Sequence, residues 1–115
     1  MPRFKGVLIE TSDMDGTIDL FTNLFGMATS LRDGNTYAEL VDESGGRLCL
    51  SDSSDHPNPG EIVLLAKTRN MEETLSMLAA SGDVVADPPI RGPHEVRALA
   101  RTTGGVSISI YESVR

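Results

Sequence analysis

The chain has 115 residues, 39% of them hydrophobic, and a formal net charge of −7, which bounds it to one domain with a core of modest size. That acidity argues against nucleic acid or an anionic membrane as a partner; it leaves a cationic ligand open beside plain solubility. One cysteine, Cys49, excludes an internal disulfide and fits a reducing compartment, and with no long apolar segment and no signal-peptide pattern in MPRFKG the expected location is the cytoplasm.

In chain order, Phe4 to Thr11 reads as a strand. A helix follows over Thr17 to Met27, approached through Asp13-Met14-Asp15-Gly16. Met14, Ile18, Phe21 and Phe25 make a narrow apolar stripe, which Leu20 and Leu24 widen. Asp13 or Asp15 supplies the N-cap oxygen, and Gly26 the left-handed residue that ends the helix. Ala28 to Arg32 and Thr36 to Asp42 are strands joined through Asp33-Gly34-Asn35, and Arg47 to Asp52 is a strand after the Gly45-Gly46 turn. Ser53 to Gly60 holds two prolines and no periodicity, so it reads as a linker. Glu61 to Lys67 is a strand, Asn70 to Ser81 a helix, and Val84 to Pro89, Glu95 to Thr102 and Ser107 to Glu112 are strands.

The second half repeats the first 57 positions on. Thr11, Asp13, Met14, Asp15, Thr17 and Ile18 match Thr68, Asn70, Met71, Glu72, Thr74 and Leu75, and Phe21 matches Leu78. Capping and turn residues recur along with the apolar spacing, which chance similarity of two amphipathic helices would not give. The expected architecture is α+β: two tandem βαβββ modules, about 4–52 and 61–112, in a single domain with a curled mixed sheet. Modules of about fifty residues are marginal alone, so they are expected to share a core or to pair with another chain, most simply as a homodimer.

Strand alternation assigns the faces. Leu48, Leu50, Val96, Ala98, Ala100, Ile108 and Ile110 belong beneath the helices. The other face carries Gly6, Leu8 and Glu10, then Tyr37, Glu39 and Val41, then Arg47 and Cys49. From the second half it carries Glu61, Val63, Leu65, Arg97, Leu99, Arg101, Ser107, Ser109 and Tyr111. Such a mixed concave lining suits a small-molecule cup. Within it Glu39 is a candidate partner for a cationic ligand or a general base, or it pairs with Arg97 or Arg101 across the sheet, or it sits at a wet rim. Arg97 and Arg101 either grip a ligand carboxylate or phosphate, or form an exposed face. Tyr37 and Tyr111 offer stacking or a hydrogen bond, Cys49 a reactive thiol or a buried structural one. His56 and His94 lie in proline-containing loops and read as surface histidines.

The helix TIDLFTNLFGM, Thr36-Tyr37-Ala38-Glu39-Leu40 followed by Arg47-Leu48-Cys49-Leu50, Met77 to Gly82, and Gly104-Gly105 leading to Ile108-Ser109-Ile110-Tyr111-Glu112 together resemble the vicinal oxygen chelate superfamily. That superfamily includes glyoxalase I, bleomycin resistance proteins and extradiol dioxygenases, and the resemblance spans nearly all of residues 4 to 112. One departure is Thr102-Thr103-Gly104-Gly105, where the family usually has an acidic-Pro-acidic-Gly turn. The resemblance implies a divalent metal held by one side chain from the first and last strand of each module. The matching positions are Gly6, Cys49, Val63 and Ser109, and glycine and valine have no donor atom. No metal and no other cofactor is therefore expected.

The resulting expectation is a metal-free small-molecule binder of the glyoxalase/bleomycin resistance type that sequesters an antibiotic or metabolite. The alternatives are a lyase, isomerase or dioxygenase of the same superfamily, using Glu39 as base or misassigned metal ligands, and a structural or regulatory dimer that has lost its pocket.

Overall fold

The computed structural model describes residues 2–82 and 84–114. They form two compact units, Gly6–Ile62 and residues 63–114 with 2–5. The chain is α+β as expected, running βαβββ in its first half and βαββββ in its second.

The first module contains β1 (Arg3–Glu10), α1 (Met14–Phe25), β2 (Ala28–Asp33), β3 (Tyr37–Val41) and β4 (Arg47–Ser51). Its strands lie in the order β2-β3-β4-β1, with β1 parallel to β4 and the other pairs antiparallel. Helix α1 starts where the Asp13 carboxylate accepts the Gly16 N–H at 3.0 Å, covering one of the donors that a helix start leaves free. It stops at Gly26, which takes φ 66° and donates its N–H to the Thr22 carbonyl. Beneath it lie Met14, Ile18, Met27, Ala38, Leu40 and Leu50, with Ile9, Phe21 and Leu48 around them.

The apolar stripe is narrower than its sequence suggests. Leu20, Leu24 and Phe25 are all more than half exposed. At about 100° per residue, Leu20 and Leu24 lie well off the line through Met14, Ile18 and Phe21, so the sheet never reaches them. Phe25 keeps only a stacked contact on Phe21, with ring centroids 5.9 Å apart.

The second module contains β5 (Val63–Lys67), α2 (Met71–Ser81), β6 (Val84–Ala86), β7 (Ile90–Arg91), β8 (Glu95–Thr102) and β9 (Ser107–Ser113). Its order is β5-β9-β8-β6, with β7 also on β8 and β5 parallel to β9. The strand expected over Val84 to Pro89 ends at Ala86, and a further, unexpected short strand, β7, follows it. Pro88 and Pro89 carry no N–H, so the ladder to β8 breaks there and resumes at Ile90. Strand β5 starts at Val63, two residues later than expected, because Glu61 closes a turn onto the Asn58 carbonyl. Asn70 caps α2 through the Glu73 N–H, and the core under the helix is Met71, Ala98, Ala100 and Ile110.

The duplication extends to individual hydrogen bonds. Thr11 and Thr17 join hydroxyls at 2.7 Å, and Thr68 and Thr74 do so at 2.6 Å. Thr11 Oγ1 also accepts the Asp13 N–H, and Thr68 Oγ1 that of Asn70. Registers match as well: Glu39 faces Cys49 as Leu99 faces Ser109, and Leu8 faces Cys49 as Leu65 faces Ser109.

Candidate functional site

In the first module the sheet face away from α1 carries Leu8, Glu10, Tyr37, Glu39, Arg47, Cys49 and Ser51. Leu8, Cys49 and Ser51 are buried, while Tyr37, Glu39 and Glu10 are half-buried. Glu39 is the hub. Its Oε2 accepts the Tyr37 hydroxyl at 2.6 Å and its Oε1 accepts Arg47 Nη1 at 3.2 Å. An arginine that pairs with it is Arg47, on the neighbouring strand of the same face, while Arg97 pairs with Glu95. Alternation already places Arg47 there; the diagonal reach across one strand pair is what makes the bond. Burial pushes the Tyr37 phenol well above its usual range, and its hydrogen bonds to Glu39 and to the Cys49 thiol push the same way. Tyr37 is therefore a neutral donor, held between a carboxylate and a thiol.

Glu10 is engaged differently. Its carboxylate accepts the Gly60 N–H and so ties the segment after β4 back to β1. That segment is also pinned by Asp52, whose Oδ1 accepts the N–H groups of Ser54 and Asp55. His56 is not a surface histidine: it is 5% exposed, and its Nδ1 accepts the Asn58 N–H at 3.1 Å. Proline-containing loops are usually exposed, and no sequence signal separates one that folds inward. His94 is exposed as expected.

In the second module Val63, Leu65, Ser107 and Ser109 are buried on the corresponding face, Leu99 and Tyr111 are half-buried, and Arg101 is exposed. Arg97 pairs with Glu95 at 2.5 Å. The Ser109 hydroxyl and Arg97 Nε, like the Ser51 hydroxyl in the first module, are buried without a protein partner. Each such atom costs about 1–3 kcal/mol unless water or a ligand satisfies it. All three lie on helix-free faces.

A solved structure from Legionella pneumophila, described as an NAD-dependent benzaldehyde dehydrogenase, matches 94% of this chain and 97% of its own at a TM-score of 0.77 and 15% identity. A glyoxalase/bleomycin resistance protein/dioxygenase superfamily member from Vibrio splendidus matches 97% and 99% at a TM-score of 0.70 and 10% identity. The chain has the vicinal oxygen chelate fold. No protein-family profile matches the sequence. An uncharacterized protein of Mycolicibacterium smegmatis is 29% identical over 111 residues, 96% of this chain and 94% of that one. Likeness at 10–15% identity is likeness of fold, and the two solved structures carry unlike descriptions.

The divalent metal that the sequence resemblance implies would lie at Gly6, Cys49, Val63 and Ser109, and the residues present do not fit one. Two of the four have no donor, and the remaining thiol and hydroxyl are both buried. Gly6 is moreover a strained place for any side chain. It holds φ 133°, and a Cβ there would lie 3.2 Å from both the Cγ and the carbonyl oxygen of Arg47. The stem of the arginine that reaches Glu39 lies close against the place of that Cβ. Among the described residues no three His, Cys, Asp or Glu side chains gather in a metal-holding group.

Proposed function

We propose that this chain binds a small molecule on the helix-free face of its first module and acts by sequestration, with no metal at the fold's usual positions. The observation that carries this reading is the Tyr37–Glu39–Arg47 network: a half-buried ion pair with a neutral phenol donor, beside the apolar Leu8 and the buried Cys49. Arg47 spends one N–H on Glu39 and keeps others of its fork for a ligand acceptor. The orphaned Ser51 hydroxyl on the same face adds a further polar group in need of a partner.

Glu39 suits this role better than that of a general base. Both of its oxygens already accept hydrogen bonds, one of them from a guanidinium, so an incoming C–H or O–H must displace an existing donor.

Calorimetry against a panel of antibiotics and cellular metabolites that carry carboxylate, phosphate or carbonyl acceptors tests the reading, together with elemental analysis of protein purified without chelator. We expect saturable binding by at least one compound, weakened about tenfold or more in Arg47→Ala, since a charged hydrogen bond is lost. About one metal ion per chain, or substrate turnover abolished by Glu39→Gln, overturns it.

A further inference from the structure

The two modules differ most beside their helices. In the first, Arg32 of β2 reaches the start of α1: its Nη2 lies 2.6 Å from Asp15 Oδ1 and 2.8 Å from Asn35 Oδ1. In the second, the residue 57 positions on from Asp15 is Glu72, and the one 57 positions on from Arg32 is Pro89. The ladders agree with this pairing. Arg32 faces Ala38 across β2 and β3, and Pro89 adjoins Ile90, which faces Arg97 in the equivalent strand. A guanidinium in one module is thus replaced by a proline ring in the other, and the carboxylate it would meet is left exposed. Among the described residues Glu72 has no side-chain partner.

Beside this replacement lies a groove of about 620 Å³. Leu75 and Ala79 of α2, Val96 of β8 and Pro89 give it an apolar body, and Glu72 and Glu112 an acidic end. That volume falls within the roughly 300–1,000 Å³ of small-molecule sites. A cation would ordinarily be disfavoured near a helix start. Here the Met71 N–H is already covered by Glu112 Oε1 at 2.7 Å and that of Glu73 by Asn70, and the carboxylates of Glu72 and Glu112 outnumber the exposed Arg91, which faces Val96 across β7 and β8.

We propose that this groove is a second binding site, taking a small organic cation of amidinium or guanidinium type carried on a compact apolar body. The cation occupies the place that Arg32 holds in the first module and pairs with Glu72, while the body lies on Leu75, Ala79 and Val96. The site is separate from the Tyr37–Glu39–Arg47 face and stands or falls independently of it.

The test is an NMR titration of the full chain with benzamidinium and butylguanidinium, and with neutral benzamide as control. Saturable shifts at Leu75 and Val96 are expected for the two cations and not for benzamide. Glu72→Gln, at an exposed position, should weaken binding about threefold, as an exposed ion pair would. Pro89→Arg restores the first module's arrangement from within and should abolish it, with thermal unfolding used to confirm that both variants fold. Equal shifts with benzamide, affinities unchanged in both variants, or cation shifts confined to Leu8, Tyr37 and Cys49 would each overturn the proposal.

Discussion

The first module buries two leucines, Leu40 and Leu50, beneath its helix, where the second has Ala100 and Ile110 at the matching ladder positions. On the helix-free faces Tyr37 and Glu39 of β3 stand where β8 has Arg97 and Leu99. Beside the helices, Arg32 stands where Pro89 does. Yet the threonine pairs, the caps and the strand registers coincide. Backbone donors at helix starts and sheet ladders must be satisfied in one particular geometry, whereas a sheet face accepts many side chains of similar volume. Duplicated modules therefore keep their hydrogen-bonded frame and diverge on the surfaces that meet ligands, and the divergent positions are where function should be sought.

The largest effect that separates the modules should come from their cores. Leu40→Ala is expected to cost about 2–5 kcal/mol, as for other buried leucines. Ala100→Gly, at the matching position, removes one methyl and should cost about 1 kcal/mol. Urea midpoints at unchanged slope report both, and equal losses would show that the two cores are packed alike. Next come the threonine pairs. Thr68 and Thr74 are buried, whereas Thr11 and Thr17 are half-exposed. Thr68→Val should cost about 1–2 kcal/mol by stranding buried partners, and Thr11→Val less, since water can replace the lost bond. A reversed order would mean that the first pair is the stronger support.

The smallest effect concerns pH. Tyr37 in the folded chain holds its proton above the usual tyrosine range, while in the unfolded chain it releases it near pH 10. The folded state then binds the extra proton, so this contribution is complete below pH about 10 and is lost as pH rises further. The urea midpoint of the native chain should fall above that pH, and that of Tyr37→Phe should fall less. Parallel decline would assign the loss to other groups. No counterpart is expected in the second module, where Arg97 stands at the matching position.

Much of this frame could be read from residue types. Asp13 and Asn70, Gly26 and Gly82, and the period of two along each strand specify caps and faces through local rules that act within a few residues. The pair of prolines at 88 and 89 reads as the end of a strand, whereas the strand already stops at Ala86, before two residues whose missing N–H cannot join a ladder. What depended on longer reach was hidden. Pairing of Glu39 with Arg47 depends on which long side chain bends across a strand, and burial of His56 on how a loop of turns is pinned by Asp52 and Glu10. The exposure of Leu24 reflects how far the sheet extends beneath α1, a quantity that no spacing within the helix records.

Gly6 and Arg47 impose a constraint on how this chain can change. A histidine at position 6 would strain a backbone conformation that suits glycine and press on the Arg47 stem, the same residue that serves as counterion of Glu39. Acquiring a side chain at that end of the sheet therefore means re-seating the present charge pair, so the identity of residue 6 and the geometry around Glu39 change together.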